Sequence, residues 1–443
     1  MEALRAARET RCLELGNGVL DRTPEVFRQQ FGSKPALLVA DTNTFDAAGQ
    51  AVQEAFHRAG CACREPFIFN DPKLYAEHKY VVAVEEALKG HDAIPVAVGS
   101  GTLNDLTKLA SHRAGRPYMV VATAASMDGY TAFGASITYQ GSKQTFSCPA
   151  PTAVVADLDV ICAAPAGMNA SGYADLLAKT TGGADWLLAD ALGVEPIDQK
   201  AWAIVQGGLR QAVANPAGVR DREHEAVRQL TEGLMLGGFA MQWAQSSRPG
   251  SGAEHLFSHL WDMEHHVCDG RTPSHGFKVA IGTLAVTGLY EYMLAQELDH
   301  LDVASCCAQW PDDAAREKTA RALFSQPDLL AVALQESQAK SVNAQALSRQ
   351  LEILKRAWPD LRERLRQQLI PWPELKGMLC AAGAPVEPEE IGISRARLRE
   401  SFRHACFLRR RFTVMDLAAR CGLLEPALSQ LFGPKGLWPL NKV

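Results

Sequence analysis

The chain has no run of about 20 uninterrupted apolar residues, so a membrane-spanning helix is not expected. It has no excess of positive charge. The formal net charge of -5 at pH 7 gives neither nucleic acid nor an anionic membrane a global attraction. An anionic substrate must therefore be met by local donors. The eleven cysteines are an odd number, and none form a CxxC; the nearest approaches are Cys61/Cys63 and Cys306/Cys307. That pattern excludes a disulfide framework and a zinc ribbon, and the expectation is reduced thiols in a cytoplasmic protein. The N-terminal MEALRAARETRCLELG lacks the apolar core of a secretory signal. Internal repeats and low-complexity tracts are missing too.

What is present suits a soluble enzyme of more than one domain: 443 residues, 47% hydrophobic and 21% charged. Short apolar runs alternate with helical patterns in the first 160 or so residues. ALLVAD (36–41), AIPVAVGSG (93–101), PYMVVATAAS (117–126) and TAVVADLDVI (152–161) read as strands. YAEHKYVVAVEEALKG (75–90) and TLNDLTKLASHRAG (102–115) read as helices. This alternation predicts βαβ units and a mostly parallel sheet over residues 1–165. Beyond them the long 3.6-residue periodicities predict an all-α domain over 166–443. A linker is expected at AAGAPVEPEEIGI (381–393), and a basic helical tail from about residue 390.

Two turns in the first region attract attention. In VAVGSGTLND, Gly99, Ser100 and Gly101 lie between a strand and a helix, where backbone N–H groups and the helix dipole suit a pyrophosphate. Asn104 stands where the third glycine of GxGxxG would be, so an ordinary tight βα turn is the competing reading. In VATAASMDGYTA, a strand ends in small residues followed by Asp128 and Gly129. Strand C-termini in open α/β sheets face the ligand crevice, so Asp128 could meet a substrate hydroxyl or simply make an Asp-Gly turn. Asp41, ending an early strand, suits an adenosine ribose hydroxyl or a cap on the following turn.

GSGAEHLFSHLWDM places His255 and His259 four residues apart, on one face of a helix. HLFSH is not the HExxH of metalloproteases, because Leu256 replaces the general base and Glu254 is out of position. Asp175 stands in a mostly apolar helix, four residues before Lys179, with which it could pair. His275 opens another apolar helix. His265 and His266 read as solvent-facing or incidental. Asp175 with imidazoles drawn from His255, His259 and His275 suits a divalent ion such as Zn²⁺ with a position left for substrate.

The segments GSGTLNDLTKLAS, TAASMDGYTAFGASI, SGYADLLAKTTGGADWLLA, GAEHLFSHLWDM and SHGFKVAIGT, in this order, resemble the sn-glycerol-1-phosphate dehydrogenases, particularly the bacterial ones. These belong with the iron-dependent alcohol dehydrogenases, glycerol dehydrogenases and dehydroquinate synthases. The resemblance extends from about Asp41 to RRRFTVMDLAARCGLL. It implies a dehydroquinate synthase-like fold, a Rossmann-like dinucleotide-binding domain followed by an all-α metal-binding domain. It also implies that Gly99, Ser100, Gly101, Thr102 and Leu103 hold the pyrophosphate of NAD(H) or NADP(H), with Asp105 close by. Thr123, Ala124, Ala125 and Ser126 would line the nicotinamide. Asp128 would contact substrate, and Asp175, His255 and His275 would bind Zn²⁺ or Ni²⁺. His259 would sit by the substrate and relay a proton.

Two departures matter. Ala132 stands where the family often has a serine that serves the cofactor. Lys179 replaces the additional histidine ligand of the iron-dependent branch, which implies a three-ligand site. The implied reaction interconverts dihydroxyacetone phosphate and sn-glycerol 1-phosphate by hydride transfer, in a homodimer. Lys143 and Lys179 are candidates for the phosphate. Rival readings are a glycerol dehydrogenase acting on the free polyol, a dehydroquinate-synthase-like cyclase, and a DNA-binding regulator using RRRFTVMDLAARCGLLEPALSQLF (409–432) as a helix-turn-helix.

Overall fold

A computed structural model describes residues 2–140 and 142–440. The strands are β1 (Cys12–Gly16), β2 (Ala36–Asp41), β3 (Phe67–Phe69), β4 (Ile94–Gly99), β5 (Met119–Ala122), β6 (Ala135–Tyr139), β7 (Ser142–Phe146) and β8 (Ala153–Asp157). Among the described residues no strand follows β8, and the rest is helix, turn and one isolated bridge, Cys268–Arg271. The expected order, an α/β region followed by an all-α region, is the observed one. By compactness the chain divides into two interleaved units. One is Met1–Leu177 with Gln199–Gly250 and Ala381–Gly383; the other is Ala178–Asp198 with Ser251–Cys380 and Ala384–Val443.

In the first unit, six strands form a parallel sheet in the order β1-β8-β5-β4-β2-β3. The apolar runs of the inner strands β8, β5, β4 and β2 are buried on both faces, as parallel strands between helices require. Alternate residues feed two cores. Leu38, Val96, Val121 and Val155 pack with Val26, Phe27, Val52 and Phe56 from the Thr23–Phe31 and Gln50–Arg58 helices. Leu37 and Val39 pack with Val81, Val84, Leu106 and Leu109 from the His78–Ala87 and Gly101–Arg113 helices. From β2 the chain moves out to β3, then returns to β4 on the other side of β2. In such sheets the usual ligand position lies beyond the carboxyl ends of the strands where the order reverses, here β2 and β4. Asp41 and Gly99 end those two strands. The periodicity did not disclose β1, the three-residue β3 or the antiparallel β6–β7 hairpin.

The second unit is helical. Its His275–Leu294 helix is buried nearly all round, consistent with the small and apolar run Val279–Tyr290. A Cβ at Gly282 would lie 2.4 Å from the Glu254 carbonyl oxygen, so glycine there lets this helix approach Ala253–Met263 closely. Asp185, fully buried, ties several elements together. It accepts from Ala253 N at 2.7 Å, Val414 N at 2.8 Å and Tyr290 Oη at 2.6 Å.

Two expectations are corrected here. The stretch 381–393 is not an open linker, because Ala382, Ala384, Ile391 and Ile393 are buried. His266 is not solvent-facing: it is 7% exposed, with Nε2 2.6 Å from the Ile391 carbonyl and Nδ1 2.8 Å from Arg397 Nη1. Its neighbour His265 is exposed.

Candidate functional site

In the first unit, the two turns singled out from sequence lie side by side. Gly99 and Ala122 are register partners on β4 and β5, and Thr123 N donates to Gly99 O at 3.2 Å. Gly99, Ser100 and Gly101 lead into the N-terminus of the Gly101–Arg113 helix, with Thr102 and Leu103 in its first turn. Neither glycine needs a left-handed backbone; each makes room. A Cβ on Gly99 would meet the Leu103 side chain at 2.2 Å, and one on Gly101 would meet Met127 Cε at 2.5 Å. Asn104, the departure from the glycine pattern, has a position-specific task. Its Nδ2 donates to Gly129 O at 3.1 Å, and its Oδ1 accepts from Tyr118 Oη at 3.0 Å.

Residues 123–128 are held along the Ala166–Leu177 helix. Asn169 Oδ1 accepts from Ala125 N at 3.2 Å, Ser171 Oγ donates to Ser126 O at 3.2 Å, and Asp175 Oδ2 accepts from Asp128 N at 3.0 Å. The Ala124 carbonyl accepts from Tyr130 Oη at 2.6 Å. A Cβ at Gly172 would stand 1.8 Å from Ala125 O, so only glycine allows this approach. The spacing of Asn169, Gly172 and Asp175 places them on one helix face toward the strand end. Asp128 and Asp175 are thus joined through a backbone bond.

Sequence reasoning missed Lys108. This residue is 1% exposed, and its Nζ donates to the carbonyls of Gly129 at 3.1 Å, Ala132 at 2.9 Å and Gly134 at 2.9 Å. It ties the turn after Asp128 to the Gly101–Arg113 helix. Local sequence carried no signal for it, because Lys108 shares its helix face with Asn104, Asp105, Ser111 and His112. Ala132 is buried and supplies its carbonyl to this clamp.

Two cofactor candidates have local structural partners. Asp41 caps the next helix, with Oδ1 accepting from Thr44 N at 2.8 Å. Asp105 Oδ2 accepts from Ser136 N at 3.0 Å and so fastens β6; burial raises its pKa, against the Lys108 charge and the more distant Lys143. Lys143 itself lies on β7.

The second unit holds the three histidines. His255 and His259 share the Ala253–Met263 helix with ring centroids 6.5 Å apart, while the His275 ring, from the next helix, is 5.2 Å from His255. His255 is therefore closer to His275 than to its helical neighbour. Glu254, set aside in the sequence reading, is fully buried and organises His255. Its Oε1 stands 2.8 Å from His255 Nδ1 and accepts from Gly252 N at 2.5 Å, and its Oε2 accepts from Thr181 Oγ1 at 3.0 Å. Burial opposes the Glu254 charge, but the bond and charge of His255 and the Gly252 N–H carry its pKa below the ordinary value. With Nδ1 engaged by the carboxylate, the neutral ring carries its lone pair on Nε2. His275 Nδ1 is 3.2 Å from Ser258 Oγ, a hydroxyl that can either donate or accept. His259 Nε2 is 3.2 Å from Arg409 Nη2. Lys179 is fully buried.

The C-terminal helices pack one face into the second unit. Val414, Met415, Leu417, Ala418, Ala427, Leu428 and Leu431 are buried, and Arg410 and Arg411 bond to Glu336 and Ser251.

Residues 14–165 match the family described as iron-containing alcohol dehydrogenase. A glycerol-1-phosphate dehydrogenase (NAD(P)+) of Halalkalibacterium halodurans is 35% identical over 284 residues, covering 63% of this chain and 70% of that protein. Its counterpart in Geobacillus thermodenitrificans is 30% identical over 402 residues, covering 88% of both chains. Among solved structures, a probable glycerol dehydrogenase from Sinorhizobium meliloti shares the fold, with a TM-score of 0.60 at 16% identity over 95% of this chain and 97% of that one. Glycerol dehydrogenase from Schizosaccharomyces pombe does so with a TM-score of 0.59 at 14% identity, over 95% of this chain and 90% of that one. No described helix is long and apolar enough to cross a membrane. With a parallel sheet, a glycine turn at its carboxyl edge and the histidine helix all in place, the chain belongs to the glycerol-1-phosphate dehydrogenase (NAD(P)+) family.

Proposed function

We propose that this chain interconverts dihydroxyacetone phosphate and sn-glycerol 1-phosphate by hydride transfer to and from NAD(P). The observation that carries the reading is the bond from Asp128 N to the Asp175 carboxylate. It fixes a candidate metal ligand to the strand-end segment beside the Gly99 turn, where the crevice of the sheet lies. We assign the pyrophosphate to the N–H groups around Gly99–Leu103, the nicotinamide to Thr123–Ser126, and a substrate hydroxyl to Asp128. Asp41 ends β2 at the same crevice, and its carboxylate there favours NAD over a 2′-phosphate.

We assign a divalent metal ion to Asp175, His255 and His275. One carboxylate and two imidazoles fit Zn²⁺ first and Ni²⁺ second, and the Glu254–His255 pair is the outer partner such ligands have. When bound, the ion supplies Lewis-acid polarisation of the ketone oxygen. The protein's own work is divided between Asp128, which would bind a substrate hydroxyl, and His259, which would hold a proton for the substrate oxygen. A homodimer is part of the proposal.

Initial rates with dihydroxyacetone phosphate and with dihydroxyacetone, each with NADH and NADPH, test the reading. A clear preference for the phosphorylated ketone is expected. Equal or better turnover of dihydroxyacetone would make the enzyme a polyol dehydrogenase instead.

A further inference from the structure

Arg409, Arg410 and Arg411 are consecutive, and the roles assigned above use none of them. They connect the Arg395–Ala405 helix to the Val414–Arg420 helix. Separate anchors within the second unit hold this segment. Arg411 Nη1 donates to the Ser251 carbonyl at 2.6 Å and also to its hydroxyl. Arg410 donates to Glu336 through its backbone N, Nε and Nη2, at 2.8, 3.2 and 2.7 Å. Val414 N is fixed on Asp185. The segment therefore runs beside the histidine helix, with Arg411 level with the residues before it and Arg409 level with His259.

At that point Arg409 Nη2 stands 3.2 Å from His259 Nε2. A guanidinium only donates, so the ring accepts through Nε2 and is neutral in this arrangement. A guanidinium, which only donates, thus stands beside the histidine assigned to the substrate. Arg409 is half-buried; burial lowers its pKa and the Glu336 charge raises it. A planar guanidinium matches the oxygens of a phosphate in a bidentate fork.

We infer that Arg409, beside His259, forms the subsite for the phosphate monoester of the substrate. This rests on the reading that His259 stands at the substrate. The same chemistry would also suit a phosphate of the cofactor, so the test separates the two.

The full-length, metal-loaded protein is compared with its Arg409→Met and Arg409→Lys variants. Four quantities are measured: KM for dihydroxyacetone phosphate, inhibition by inorganic phosphate, Kd for NADH and NADPH from fluorescence, and metal content. Arg409→Met is expected to raise KM about 100-fold and to abolish phosphate competition, while Arg409→Lys raises KM about 10-fold. Cofactor affinity and metal content should stay within about twofold in both. If Arg409→Met does not fold, the lysine variant, which keeps the cation, decides by the same quantities. Unchanged KM and phosphate inhibition would overturn the inference. So would a loss confined to NADH or NADPH binding, which would give the charge to the cofactor. If the wild type fails to reduce dihydroxyacetone phosphate, the functional reading falls. Calorimetric titration with inorganic phosphate then still judges the subsite, and equal affinity in wild type and Arg409→Met overturns it.

Discussion

Glu254 Oε1 lies 2.8 Å from His255 Nδ1, and the same carboxylate receives Gly252 N and Thr181 Oγ1. A buried acid therefore sets the tautomer and angle of a candidate metal ligand from the adjacent position in sequence. Glu254→Gln is expected to weaken metal binding about 10-fold or more. Competition against a chromogenic chelator measures it. Unchanged affinity would mean that the carboxylate only supports the helix.

The three histidines are expected to separate by function. His275→Ala should lose the metal, whereas His259→Ala should keep it and lose turnover. Metal analysis of both purified variants checks this, and equal metal loss in the two would refute the division. The shorter ring separation of His255 and His275, 5.2 Å against 6.5 Å to His259, is the geometric ground.

Lys108→Met should destabilise the protein by about 3 kcal/mol, because the Gly129, Ala132 and Gly134 carbonyls lose a buried donor. Urea unfolding reads the loss. KM for NADH should rise in the same variant while metal content holds, since the clamp shapes the turn after Asp128.

Gly172→Ala puts a methyl group against a carbonyl oxygen rather than a movable side chain. The Ala166–Leu177 helix and residues 123–128 must separate, at a cost of about 1–3 kcal/mol. A lower thermal midpoint together with a raised KM for NADH is the expected result. A normal KM would detach this contact from cofactor binding.

His266 gives stability a dependence on pH. Burial lowers its pKa from 6.5, so the folded state favours the neutral ring that Ile391 and Arg397 hold. The contribution is complete above the unfolded value and is lost as pH falls through the lowered one. The urea midpoint should drop between about pH 7.5 and pH 5.5, and less so in His266→Gln. An identical drop in that variant would assign the effect to other groups.

Much of the fold was legible because its signals are local. β2 is observed at the very residues ALLVAD that read as a strand, and the Gly101–Arg113 helix begins one residue before its expected start. The hairpin of β6 and β7 was not legible, because neither strand has a long apolar run and one side of the pair faces polar surroundings. Glu254 and Lys108 were passed over for a related reason. Residue type says that a charge is present, but not that it is buried or what it bonds.

By itself, the sequence determined the α/β-then-α order, the two turns at the sheet edge, and the pool of Asp175 and histidines, since these follow from periodicity, turn chemistry and spacing along one chain. Only the tertiary structure decided that Asp128 N rests on Asp175 and that Arg409 faces His259. Each of those depends on a distance of about 3 Å between segments far apart in the chain. The packing of small residues such as Gly172 and Gly282 fixes such distances, and no one-dimensional pattern does.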